Sequence, residues 1–188
     1  LFAGTDVEGL DVQHGGRNVH VNTAVFWYEN LVNSINSALN EFNLTPMDLI
    51  MVFEGKDSKK RRCMIDTSYK ANREGEKDSR PPEAYVEFNK LKDLIRTTYK
   101  NLGAIAVSQD FVEGDDVLAW LALNAEDDCV IVTNDNDMAT LNGVNAYGAK
   151  VDVRINGVVG VNKYGDFDLK LVSLYKGLVG DASDNIKG

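Results

Sequence analysis

The chain has 188 residues, 44% of them hydrophobic and 26% charged. That is length and apolar content for one medium globular domain, and it excludes a disordered or low-complexity chain. The formal net charge of −9 argues, taken alone, against a polyanionic partner.

Residues 1–21 are Gly-rich without a clear period and read as loop or irregular strand. From Thr23 to Phe42 the apolar residues Ala24, Trp27, Leu31, Ile35, Ala38 and Phe42 recur at helical spacing. They predict an amphipathic helix with Asn22 as its N-cap. Leu49–Phe53 (LIMVF) is a short continuous apolar run, which suits a strand buried on both faces. Residues 55–80 are polar, basic and loop-like. Pro81 and Pro82 open a helix with Ala84, Phe88, Leu91, Ile95 and Leu102 on one face, closed by Gly103. Ala104–Val107 reads as a strand. Asp115–Ala125 reads as a helix with acids in its first turn, where the helix dipole favours them. Cys129–Thr133 (CVIVT) is a further buried strand, Asp137–Leu141 a short helix, 144–161 short strands and Phe167–Leu178 a helix. This alternation predicts an α/β fold, with a mostly parallel central sheet flanked by helices.

No apolar run approaches the roughly 20 residues that span a bilayer, and no signal peptide is visible, so the reading is a cytoplasmic protein without a membrane partner. Cys63 and Cys129 make neither a CxxC pair nor a zinc spacing, as expected of reduced thiols. The charges are unevenly spread. Lys56, Lys59, Lys60, Arg61, Arg62, Lys70 and Arg73 crowd one segment, and acids gather at a few loop positions. An acidic cluster neutralised by cations is compatible with a phosphate substrate.

Glu54 directly follows LIMVF, Glu113, Asp115 and Asp116 precede a helix, and Asp135 and Asp137 follow CVIVT. In open α/β sheets, ligands bind beyond the carboxyl ends of the strands, so these loops should converge. Such a group of carboxylates is costly without compensating cations or protons. With no His or Cys among them, the donor set favours Mg²⁺ or Mn²⁺ over zinc. Acids after strands also serve as turn formers and helix caps, and that reading stands beside the first. Asp135-Asn136-Asp137 opens like a calcium loop, but Ala139 and the lack of a Gly at the sixth position exclude an EF-hand.

Four segments, Tyr69–Arg73, Val112–Ala119, Thr133–Asp137 and Gly180–Gly188, resemble motifs of the 5′ nuclease family, the flap endonucleases and 5′–3′ exonucleases of the phage and bacterial polymerase-associated type. Tyr69-Lys70-Ala71-Asn72-Arg73 is similar to its YKANR signature. Val112-Glu113-Gly114-Asp115-Asp116-Val117-Leu118-Ala119 resembles its EADD helix start. Thr133-Asn134-Asp135-Asn136-Asp137 resembles its strand-end segment with two Asp one residue apart. Gly180-Asp181-Ala182-Ser183-Asp184-Asn185-Ile186-Lys187-Gly188 resembles its GDxSDNIxG segment. They stand in the family's order.

The resemblance implies a PIN-like core with a helical arch, contributed here by residues 55–80. It implies hydrolysis of DNA at 5′ ends or flaps with two divalent ions, Mg²⁺ or Mn²⁺. RNA primers in RNA–DNA hybrids are a further substrate to consider. Glu113, Asp115, Asp116, Asp135, Asp137, Asp181 and Asp184 would be the metal-site acids. Glu54 stands where the family has Asp, one methylene shorter, and its role as a direct or water-bridged ligand stays open. Lys70 and Arg73 would face the scissile phosphate, and Tyr69 would stack near the terminal bases. Family members begin with a strand ending in an Asp ligand, and neither Asp6 nor Asp11 follows a buried apolar run. The family also continues past the position of Gly188 into a helix-hairpin-helix. The chain is therefore expected to be a single catalytic core truncated at both ends. A non-catalytic DNA-structure-binding paralogue and a PIN-like ribonuclease are the competing readings.

Overall fold

The computed structural model describes residues 10–14, 17–21, 23–71, 82–155, 158–159, 168, 171–181 and 184–187. They fall into two compact units, residues 1–51 with 75–106 and residues 52–74 with 107–188.

In the first unit, β1 (Leu10–His14) and β2 (Arg17–Val21) form an antiparallel ribbon in register Leu10↔Val21 to His14↔Arg17. This replaces the loop or irregular strand expected there. Leu10, Val12, Val19 and Val21 alternate with polar residues on either side of Gly15-Gly16, a hairpin pattern hidden by the surrounding glycines. Asp11 lies within β1. Asp6 lies outside the described residues.

Helices α1 (Thr23–Glu41) and α3 (Pro82–Asn101) pack on one another. Ala38, Leu39, Ile95 and Tyr99 are buried, and the Tyr99 hydroxyl donates to Asn36 Oδ1 at 3.0 Å. Leu102, expected on the buried face of α3, is exposed, because the chain turns away there. Gly103 ends the helix at φ +100°, a conformation that favours glycine.

β3 (Ile50–Glu54) pairs with β4 (Ile105–Gln109). The expectation of burial on both faces is not met. Met51 is buried while Ile50 is exposed, so β3 is covered on one side. A short helix α2 (Lys60–Ile65) interrupts the segment expected to be loop, and 72–81 lie outside the described residues.

The second unit is organised by β5 (Cys129–Thr133) and β7 (Lys150–Ile155), paired in parallel from Cys129↔Val151 to Thr133↔Ile155. The two-residue strands β6 (Gly143–Val144) and β8 (Val158–Val159) join β7 antiparallel. Val151, Val153, Ile155 and Ile131 form the core with Met138 and Ala139 of a 3-10 turn (Asn136–Leu141) and Ala122 of α4 (Gly114–Leu123). Each of the large side chains contributes about 1.5–3 kcal/mol by leaving water. Val132, expected in a doubly buried strand, is exposed on the other side of β5.

The Asn145 amide joins α4 to this core. Its Nδ2 donates to the carbonyls of Ala122 (3.0 Å) and Ala125 (2.8 Å), at and just past the end of the helix. Its Oδ1 accepts from the backbone N–H groups of Tyr147 and Ala149. Helix α5 (Val172–Val179) is shorter than the expected 167–178, and 167 and 169–170 lie outside the described residues. It leads into the ribbon β9 (Gly180–Asp181) with β10 (Ile186–Lys187). No described helix is long and apolar enough to cross a membrane.

Candidate metal centre

The acidic residues picked out by position belong to the second unit. Glu54 is the last residue of β3, and Asp135 and Asp137 follow β5 directly. Glu113 is the N-cap of α4, with Asp115 and Asp116 in its first turn. Asp181 lies in β9, and Asp184 sits in the link to β10.

Glu113 is 5% exposed, and as an N-cap it makes no side-chain cap bond. Its carboxylate is instead the meeting point of three other side chains. Lys70 Nζ donates to Oε1 at 2.7 Å, the Tyr69 hydroxyl donates to Oε2 at 2.8 Å, and Arg62 Nη1 also donates to Oε2. Burial would raise the Glu113 pKa, but the hydrogen bonds from Lys70 and Tyr69 and the charges of Lys70 and Arg62 outweigh it and hold the group below its usual range.

The loop bearing Tyr69 and Lys70 is shaped locally. Asp66 Oδ1 accepts from the backbone N–H and hydroxyl of Ser68 at 2.8 and 2.7 Å, folding the chain back after α2. The Lys70 N–H donates to the Asp184 carbonyl at 2.9 Å, and Asn185 Nδ2 donates to the Ser68 carbonyl at 2.8 Å. Lys70 and Asn185 both adopt positive φ, +53° and +59°, where non-glycine residues are uncommon and need such bonds to hold them. The Lys70 ammonium is also 3.7 Å from Asp184 Oδ1. Tyr69 is buried, with Lys70 Nζ 5.0 Å and Arg62 Cζ 5.5 Å from its ring centroid. Its ring is therefore not an open surface for a base. The hydroxyl of Tyr69 is turned to Glu113, and stacking on a terminal base stays an expectation. Arg73 lies outside the described residues.

A second grouping joins Asp137 and Asp181 through Lys176, whose Nζ is 2.5 Å from one carboxylate and 2.6 Å from the other. These contacts raise the Lys176 pKa despite burial. A third involves Asp115, Asp135 and Glu54. Burial is the largest cause raising the Asp115 pKa, followed by the negative charges of Asp135 and Glu54. Asp135 Oδ1 also accepts from the Asp137 N–H at 2.8 Å, and Glu54 Oε2 accepts from the Gly114 N–H at 2.7 Å. The cap reading of these acids is thus realised alongside any other. Asp116 pairs with Arg62 Nη2 at 2.6 Å.

Sequence reasoning counted Arg62 only as one base in a crowded segment, and passed over Lys176. The signal for Lys176 was a cation near the end of the expected helix, five residues before Asp181. Among the described residues no three acidic, His or Cys side chains converge as a ready metal site. The carboxylates of Glu113, Asp116, Asp137 and Asp181 hold ammonium or guanidinium groups instead. The residues nevertheless fit a hard divalent cation. The donors are all oxygen, Asp115 is buried beside the negative charges of Asp135 and Glu54 with Lys70 only partly offsetting them, and Lys176 shows that Asp137 and Asp181 can share one positive charge.

An α/β core with acids after its strands and a basic loop against them is the class of fold and site that the four motifs imply. A family model, the 5′–3′ exonuclease N-terminal resolvase-like domain, matches residues 15–164, and the chain belongs to that family. DNA polymerase I of Bacillus caldotenax is 27% identical over 192 residues, covering 95% of this chain and 20% of that protein. The chain thus spans about a fifth of the length of this curated relative. The T5 D15 protein crystallised with metal ions has a TM-score of 0.68 at 21% identity, over 86% of this chain and 62% of that one. The bacteriophage T5 D15 flap endonuclease in a pseudo-enzyme-product complex with DNA and metal ions has a TM-score of 0.66 at 20% identity, over 86% and 61% of the two chains. At these identities the likeness establishes the fold.

Proposed function

We propose that the chain carries the catalytic site of a structure-dependent 5′ nuclease, hydrolysing DNA phosphodiester bonds at 5′ ends or flaps with two divalent cations, Mg²⁺ or Mn²⁺. The observation that carries this reading is the convergence on Glu113. Lys70 and Tyr69 from one family motif meet Glu113 from a second and Asp184 from a third. A scaffold role alone does not require a buried carboxylate bonded by three donors beside a further carboxylate.

Glu113, Asp115, Asp116, Asp135, Asp137, Asp181 and Asp184 would hold the cations, with Glu54 behind them. Divalent cations bound there supply water activation and charge neutralisation at the phosphate. Lys70, already held at the edge of the cluster, would transfer its charge to the scissile phosphate as negative charge develops there. Arg73, three residues on, would reinforce it. Tyr69 and Arg62 keep Glu113 ionised and oriented. The DNA and metal ions in the T5 flap endonuclease complex support the same reading.

Labelled 5′-flap, nicked and single-stranded DNAs, an RNA–DNA hybrid and a structured RNA should be assayed with Mg²⁺ and with EDTA. Cleavage of the DNAs near their 5′ ends, abolished by EDTA, is the expected result. Preference for the structured RNA would favour a PIN-like ribonuclease. Tight flap binding without cleavage would favour a DNA-binding paralogue.

A further inference from the structure

The N-cap of α4 does not cap its own helix, because the Glu113 side chain is turned to Lys70, Tyr69 and Arg62. The free N–H of Gly114 is taken from outside. It donates to Glu54 Oε2, at the end of β3, at 2.7 Å. Helix starts leave such donors without intrahelical partners, and a carboxylate is well suited to fill the role.

The two residues also fit each other sterically. A Cβ at position 114 would lie 2.9 Å from Glu54 Oε2, and the next nearest atoms would be 3.8 Å away or more. Gly114 is not among the residues with positive φ, so its backbone admits any L-residue. What glycine supplies here is room for a carboxylate. Gly55 is the contrast, since a Cβ there would overlap the backbone carbonyl of Gln109, which cannot swing aside.

We propose that Glu54 and Gly114 form a matched pair that positions the start of α4, and with it Glu113 and Asp115. Glu54 is then a positioning residue, and glycine at 114 admits its length. The metal side of this inference rests on the function proposed above. The pairing itself does not.

Four variants of the full chain test it: Gly114→Ala, Glu54→Asp, the two combined, and Glu54→Gln. Amide exchange of residue 114 by NMR reports the lock alone, and Mn²⁺ calorimetry reports the site. Glu54→Asp pulls the carboxylate back from the 114 N–H, so that amide should lose protection. Glu54→Gln keeps an acceptor oxygen, so protection of the 114 amide should stay near wild type. Gly114→Ala should fold, because the atom in the way is the free end of a side chain. It should weaken Mn²⁺ binding by about 10-fold, within the range seen when groups orienting metal ligands are lost. With Asp at 54 the same Gly114→Ala change should alter Mn²⁺ affinity by less than about 2-fold, the non-additivity expected of touching residues.

Equal effects of Gly114→Ala in both backgrounds would overturn the pairing, as would unchanged protection in Glu54→Asp. A 114 amide as unprotected in Glu54→Gln as in Glu54→Asp would overturn the argument that reach is what lets Glu54 hold that N–H. Protection of the 114 amide in a wild-type chain that binds no Mn²⁺ would sink the metal reading while upholding the lock.

Discussion

Lys70 brings its ammonium to within 2.7 Å of the buried carboxylate of Glu113, 43 residues away in the chain. The contact keeps both charges ready in a partly desolvated place, where electrostatic interactions are stronger than in water. If Lys70 serves the scissile phosphate, its removal should act on the chemical step. Lys70→Met should lower the single-turnover cleavage rate by roughly 10²–10³-fold, the scale of losing one charge-stabilising group. Flap affinity, followed by fluorescence anisotropy, should change far less. Equal losses in rate and affinity would make Lys70 a phosphate anchor.

Asp135 and Asp137 differ in what their charge does. Asp135 caps the following 3-10 turn through its Oδ1, a bond that Asn can also make. Asp135→Asn with Asp137→Asn should therefore keep the fold by circular dichroism, abolish cleavage and strongly reduce the Mn²⁺ binding heat. Unaltered Mn²⁺ binding in the double variant would place the metal elsewhere.

Lys176 occupies the position between Asp137 and Asp181 that a cation would share. Lys176→Met leaves those two carboxylates facing each other, so the metal-free protein should lose thermal stability at low salt. Mn²⁺ should bind the variant about 10-fold more tightly, equivalent to a gain of about 1.4 kcal/mol. An unchanged Mn²⁺ affinity in calorimetry would mean that ammonium and metal do not compete.

Ile131 and Val132 are chain neighbours with opposite fates, 4% and 44% exposed. Ile131→Ala should cost about 2–5 kcal/mol in urea unfolding, through lost burial and the cavity left in the core. Val132→Ala should fall well below that. Similar costs at the two positions would contradict the one-sided burial of β5.

The elements legible from the chain alone were those with strong local periodicity. Cys129–Thr133 is a strand with those same ends, and the 3.6-residue pattern marked α1 and α3 to within a residue or two. The family, and the acids to examine, were legible because short motifs keep their residue order whatever the surroundings. Burial was not, since a run such as LIMVF is equally apolar whether one face is covered or two. Only the tertiary structure could cover Met51 and leave Ile50 exposed. The partners of the acids were equally out of reach. Arg62 and Lys176 are unremarkable bases until folding brings them to Glu113, Asp137 and Asp181, and the burial of Tyr69 with its hydroxyl on Glu113 is equally absent from its motif. Glu54 read as an uncertain ligand one methylene too long. That length acquires a meaning only where β3 ends against the first N–H of α4, at a residue with no side chain to obstruct it.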